Sequence, residues 1–239
     1  MKKIISAALA AICLITSAVS LSSCTVKIAD EGCLLYTSPS PRDRITSAVS
    51  LSSCTVKIAD EGAFLAEVGT LIEKSYEVNE IFFGKGLEFE DEGKTPDEIL
   101  AECKTEEEKI YLYLPVKESA KYKTREEIMN LAHAVYSASY CEYLEARGFE
   151  GISDGDAVAN YARYIEDLTY GLTVNVKSAA EAMKLDRTYD ISTLAISRKG
   201  RDFVAVTVDA YENGEFAEKK TFKVKLEDSG EWRLDWPTY

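Results

Sequence analysis

Four segments of alternating apolar and polar residues, joined by tight-turn signals, constrain this chain's fold more than any other feature. Val204, Val206, Val208 and Ala210 share one face of Phe203–Tyr211, and Phe222, Val224 and Leu226 alternate with Thr221, Lys223 and Lys225. Trp232, Leu234 and Trp236 alternate with Glu231, Arg233 and Asp235. A side-chain period of two marks strands with one buried and one solvated face. The connections Arg198-Lys-Gly-Arg201, Asn213-Gly214 and Asp228-Ser-Gly230 are turn signals, and Asn-Gly is the preferred pair for a two-residue type I′ hairpin. Strands are therefore predicted over Tyr189–Ser197, Phe203–Tyr211, Phe216–Leu226 and Glu231–Trp236, forming an antiparallel meander. Its apolar face has to be covered, and the upstream helices are the layer that can do so.

Those helices are read from period and caps. Phe64, Val68, Leu71, Ile72, Ser75, Val78 and Phe82 recur at helical spacing, which predicts one helix over Ala63–Phe82, stopped by Gly84 and Gly86. Thr95-Pro96-Asp97-Glu98 joins a capping box to a first-turn proline ahead of a short helix through Ile99, Leu100 and Cys103. Thr105-x-x-Glu108 restarts or extends it, and Ile110–Pro115 reads as a strand. Thr124-x-x-Glu127 opens a helix with Ile128, Leu131, Ala132, Val135, Ser139 and Tyr143 on one face, running to Ala146. Asp154–Asp167 fits a helix through Val158, Tyr161, Ala162 and Ile165, or the first arm of a hairpin with Leu172–Val176; strands from Tyr161 are preferred. Ser178-x-x-Glu181 starts a last short helix to Lys184. The expected fold is a single α+β domain over residues 63–239, with N-terminal helices packed on a curved antiparallel β-meander in a cone-like arrangement.

Upstream of that domain, Ile15–Gly32 recurs letter for letter as Ile45–Gly62. Diverged structural repeats keep a pattern and let exposed positions drift, whereas even Lys27/Lys57 and Glu31/Glu61 match here. Cys33–Asp43, between the copies, resembles a translated transposase-type sequencing adapter, so residues 33–62 are read as an artefact and the natural chain as the shorter one without them. Residues 1–23 form a signal-peptide pattern, with Lys2-Lys3 ahead of the apolar run Ile4–Leu21. An uncleaved membrane helix is the alternative, since about 18 apolar residues can just span a bilayer. Leu21-Ser22-Ser23-Cys24 resembles the lipobox of bacterial lipoproteins, which implies lipid attachment at Cys24 and residence on the extracytoplasmic face of the cell membrane. The second copy, ending in Cys54, follows Pro39, Pro41, Arg42, Asp43 and Arg44 and cannot serve as a processing site. Residues 24–62 are then linker.

From Cys54 onward there are 23 Lys and Arg against 38 Asp and Glu, and 23 − 38 gives a net charge of −15. Such a chain repels nucleic acid and anionic headgroups and suits a basic partner, although acidic surfaces also serve solubility alone. Glu88–Glu92 lacks the alternating ligand spacing and turn glycine of a calcium loop and reads as solvated. Setting aside cysteines of the signal, the lipobox, the insert and the duplicate leaves Cys103 and Cys141, a candidate disulfide or two free thiols. No zinc spacing, phosphate loop, HExxH or GxSxG occurs, so no metal, cofactor or catalytic residue is assigned. The sole histidine, His133, reads as structural or surface. Tyr111, Tyr113, Tyr136, Tyr140 and Tyr143 mark either a tyrosine-rich pocket or interface, or core-margin tyrosines with wet hydroxyls.

Helices followed by a curved meander ending in a Trp-containing strand resemble the nuclear-transport-factor-2-like fold. The Tyr111-Leu-Tyr-Leu strand, the Lys123-Thr-Arg-Glu-Glu helix start with Val135-Tyr136 after it, the hairpin around Arg163–Asn175 and the closing Glu231-Trp-Arg-Leu also resemble bacterial inhibitors of D,L-endopeptidases. Lipid anchoring and the acidic stretch Glu88–Lys109 depart from that pattern. The resemblance implies a protein-binding module that restrains a cell-wall hydrolase. The alternative is a small-ligand-binding or enzymatic domain using the pocket of the cone.

Overall fold

The computed structural model describes residues 55–151 and 161–239, all within one compact unit. Residues 1–54, with the expected signal peptide, Cys24 and the adapter-like insert, lie outside the described residues, as does the first half of Asp154–Asp167. Helices and two antiparallel sheets, of three and four strands, make an α+β domain. α1 (Glu61–Phe82) buries every residue of the expected face, and Asp60 caps it by accepting from the Ala63 amide at 3.0 Å. The fold takes in residues upstream of Ala63: the Val56 amide donates to the Gly200 carbonyl at 2.8 Å, Val56 and Ile58 pack on the core, and Glu61 pairs with Lys199 at 2.6 Å. Residues 55–62 therefore act as part of the fold, where the sequence suggested linker.

α2 (Pro96–Ala101) and α3 (Glu106–Ile110) start at Thr95 and Thr105, the former with its full capping box. Ile110 closes α3, so β1 is only Tyr113–Pro115. The single helix expected from Thr124 to Ala146 is two, α4 (Arg125–His133) and α5 (Ala138–Glu145). The break follows from competition for backbone groups. The Leu234 amide donates to the Val135 carbonyl at 3.0 Å and the Ser137 amide to the Leu234 carbonyl at 2.8 Å, so the chain pairs with a strand where it would have continued the helix. Ser137 then caps α5 through the Tyr140 amide. A π-turn, Ala146–Glu150, ends α5 before Gly151 in the left-handed region.

The hairpin reading holds for β2 (Tyr164–Asp167) and β3 (Gly171–Asn175), and the small sheet has the order β1-β3-β2. α6 (Val176–Ala180) begins two residues before Ser178, because Asn175 supplies the cap by accepting from the Ser178 amide at 2.9 Å. The meander is β4 (Arg187–Lys199), β5 (Phe203–Glu212), β6 (Glu215–Leu226) and β7 (Trp232–Leu234), in that order. Register shifts at Asp190/Ala195 and Ile196/Arg198 bend β4. Asn213 and Gly214, at φ of 52° and 83°, make the β5–β6 turn with the two positive φ values a type I′ hairpin requires. Val204, Val206, Val208, Ala210, Phe222, Val224 and Leu234 are fully buried, and α1 packs over β4 and β7. β7 stops at Leu234, so Trp236 does not continue the inward alternation and is 57% exposed.

Candidate functional site

The β2–β3 hairpin carries the most exposed apolar side chains on the described surface. Asp167 pairs with Gly171, leaving the three-residue loop Leu168-Thr169-Tyr170. The Asp167 carboxylate accepts from the Thr169 amide at 2.7 Å and the Tyr170 amide at 3.0 Å, and Gly171 has φ of 70°. This is the local chemistry of a three-residue hairpin closed by a left-handed glycine. Leu168 is 106% exposed and Tyr170 67%, with Ile165 beside them and the carboxylates of Glu166 and Asp167 flanking.

The base of this hairpin is fixed. Tyr164 is buried, donates its hydroxyl to the Ile81 carbonyl at 2.7 Å and accepts from the Leu87 amide at 3.3 Å. Burial raises its pKa, against the adjacent Arg163 cation, so it stays a neutral donor. Arg163, itself 8% exposed, donates to the Gly84 carbonyl and to the Ser178 carbonyl at 3.3 Å. Glu166 accepts from the Arg125 amide at 3.0 Å, tying the hairpin to the start of α4. A rigid arm thus presents an apolar tip.

A second feature is the strap Asp235–Tyr239, held across α1 by buried polar side chains. The Tyr136 hydroxyl donates to Asn79 Oδ1 at 2.8 Å, and Asn79 Nδ2 donates to Thr238 Oγ1 at 2.7 Å. Ser75 donates its one hydroxyl proton to the Ile72 carbonyl at 2.6 Å, so at the 2.5 Å Ser75–Thr238 contact Thr238 is the donor. The Thr238 carbonyl accepts from the Tyr189 hydroxyl at 2.9 Å, and Tyr239 lies on Phe83 with ring centroids 4.2 Å apart. Burial pushes Tyr189 up to about 12 and raises Tyr136 further, so the chain of donors is neutral through the physiological range.

Openings flank the strap on its two sides. One, of about 280 Å³, lies between α1 and the start of β4, with Asn79 and Thr238 on its floor and Glu80, Lys184, Asp186 and Arg187 at its mouth. The other, of about 320 Å³, is an open shelf of Tyr140, Tyr143, Trp236, Pro237 and Tyr239, with Ser139 and Asp235 as its polar members. Tyr136, Tyr140 and Tyr143 meet here, with centroids 4.7 and 5.6 Å apart along the series. Tyr111 and Tyr113 lie apart, at the end of α3 and in β1. Among the described residues the buried Tyr140 hydroxyl lacks a well-formed hydrogen bond; burial first, then Tyr239 and Tyr136, raise its pKa. The aromatic cluster was readable as tyrosines on one helix, but Trp236 and Tyr239 join it only because β7 ends early.

The remaining candidates are placed as follows. Cys103, just past α2, and Cys141, buried in α5, are both free thiols. His133 is exposed at the end of α4, and its carbonyl accepts from Arg233 at 2.8 Å. In the Glu88–Glu92 stretch, Asp91 pairs with Lys117 at 3.2 Å while Phe89 is buried. Among the described residues no three His, Cys, Asp or Glu side chains converge as metal ligands, and no helix is long and apolar enough to cross a membrane. No protein-family model matches the chain, and no curated protein or solved structure is significantly similar to it.

Proposed function

We propose that this chain is a membrane-anchored extracytoplasmic lipoprotein whose α+β domain is a protein-binding module, with a basic secreted protein of the cell-wall hydrolase class as partner. The observation that carries the reading is the β2–β3 tip, where Leu168 and Tyr170 stand in solvent on an arm whose base is buried. An exposed apolar anchor on a rigid support is what fills a partner's cleft at low entropic cost. The net charge of −15 from Cys54 onward, 23 − 38, supplies attraction to a basic catalytic domain, with Glu166 and Asp167 at the contact itself.

The test is surface plasmon resonance of the full-length chain against purified wall hydrolases. Leu168→Asp should weaken binding by about 2 kcal/mol, or about thirtyfold, as loss of a central anchor does. Association should slow as salt shortens the Debye length from about 10 Å at 0.1 M to about 3 Å at 1 M. Equal affinity for Leu168→Asp, or an association rate indifferent to salt, would refute the reading. Membrane attachment has its own test: metabolic labelling with a clickable fatty acid should disappear in Cys24→Ala. A second reading, a small-ligand or enzymatic pocket, is favoured by the opening of about 280 Å³ beside Asn79 and Thr238. Those two floor groups are bonded to each other, and a ligand has to compete with that bond.

A further inference from the structure

The shelf beside the strap differs in chemistry from the hairpin tip and stands independently of it. Its walls are the rings of Tyr140, Tyr143, Trp236 and Tyr239, and Trp236 is 57% exposed without any continuing strand to cover it. The polar members are already arranged. Asp235 Oδ1 accepts from Ser137 Oγ at 2.5 Å and Ser139 Oγ at 3.1 Å, and Asp235 Oδ2 accepts from Lys223 Nζ at 2.5 Å. The carboxylate is therefore fixed and its charge neutralised, yet Oδ2 keeps a lone-pair direction that can accept one more hydrogen bond.

These features select among ligand classes. A hollow of about 320 Å³ is of the size that holds a small ligand. A stable protein contact covers about 800 Å² per partner. An anion would have to compete with the Asp235 carboxylate for Lys223, and a cation would have to compete with Lys223 for that carboxylate. A neutral ligand remains, with a flat apolar face for the rings and a donor for Asp235. Consecutive prolines offer apolar faces but no backbone N–H, so a polyproline stretch brings only carbonyl acceptors and no donor for Asp235. A β-linked gluco-configured sugar places its ring C–H bonds axially and its hydroxyls equatorially. It thus presents weakly positive C–H faces to the negative aromatic faces and hydroxyl donors at its edge.

We propose that the shelf formed by Tyr140, Tyr143, Trp236 and Tyr239 binds one residue of a neutral β-linked oligosaccharide, stacked on Trp236 and hydrogen-bonded through a hydroxyl to Asp235. The test is saturation-transfer NMR on the full-length chain with cellotetraose and chitotetraose as probes and decaproline as the competing class. At least one tetrasaccharide should show saturable transfer to its ring C–H protons, with a Kd of about 0.1–10 mM, the range of a single weakly buried contact. Trp236→Ala should weaken this at least about tenfold, and Trp236→Phe, which keeps a ring, by less than about threefold. Because Trp236 is 57% exposed, both variants should melt as the parent does, and the hairpin-dependent binding of a hydrolase should be unchanged. Absence of transfer to both sugars, transfer unaffected by Trp236→Ala, or saturation by decaproline in their place would each overturn the proposal.

Discussion

Thr238→Val tests whether the strap is held by its buried hydrogen bonds. Valine replaces the hydroxyl with a methyl of similar size, so packing is largely kept while Oγ1 is lost. In the folded protein Asn79 Nδ2 donates to that oxygen at 2.7 Å and Ser75 Oγ accepts from it, with Asn79 2% exposed and Ser75 and Thr238 no more than 1%. Valine leaves a buried amide N–H and a buried hydroxyl lone pair unpaired, each at about 1–3 kcal/mol, so the sum should be about 2–6 kcal/mol. For a domain of this size about 1 kcal/mol lowers Tm by roughly 2–4 °C, so a loss of about 3 kcal/mol predicts a fall of about 6–12 °C by calorimetry. Adding Asn79→Leu should recover part of the loss, because removing both partners costs less than orphaning one. That recovery is reduced by Tyr136, whose hydroxyl loses both its partners, Asn79 Oδ1 at 2.8 Å and Thr238 Oγ1 at 3.2 Å in the parent. A fall of under about 2 °C for Thr238→Val would mean that water reaches these groups and that the strap is not a closed element.

Further outcomes follow from the same contacts. Asp235 is partly buried, which raises its pKa, but Lys223, Ser137 and Ser139 outweigh this and hold it below its ordinary value of 3.8. A depressed folded-state value gives stability that is present above 3.8 and lost as pH falls through the lower one, so the Tm difference between the parent and Asp235→Asn should shrink below pH 4; a difference constant with pH would refute the assignment. Burial, then Glu227, pushes the Cys141 thiol up to about 12, so peptide-resolved alkylation at pH 8 should leave it unmodified until the chain unfolds. Deleting Cys33–Gly62 should leave Tm unchanged, because Thr25–Gly32 then occupies the place of Thr55–Gly62, whereas Asp60→Ala in the parent should cost about 1 kcal/mol through loss of the α1 cap.

The meander and α1 were legible because their side-chain periods are long and undisturbed. Every strand of the large sheet lies within a few residues of its expected bounds, and the Asn213-Gly214 turn has the conformation that its residue types demand. The misreadings have two causes. Asn175 lies three residues before Ser178 and accepts from its amide, so two local cap signals competed and the earlier one won. Val135 and Ser137, by contrast, are drawn out of a helical pattern by backbone partners supplied from elsewhere, and no window centred on them contains Leu234.

The same limit explains why the candidate sites were only half readable. Leu172–Val176 and Arg163–Ile165 announced a hairpin, but exposure of Leu168 depends on a base anchored by Ile81, Gly84 and Leu87, more than seventy residues upstream. Ser75 and Thr238 are separated by 163 positions, and the polar residue on the apolar face of α1 made sense only once that partner was found. Trp236 shows the converse. Its alternation with Leu234 pointed inward, and it faces out because Ser137 pairs with Leu234 and Asp235 turns to Ser137, Ser139 and Lys223, so the chain leaves the strand after Leu234. The break in the long helix and the exposure of Trp236 are thus two ends of one set of hydrogen bonds. Ser137→Pro removes the amide that donates to the Leu234 carbonyl, along with the α5 cap. Trp236 should then lose its fixed place, and sugar contact at the shelf should fall with it, while Leu168 keeps its exposure.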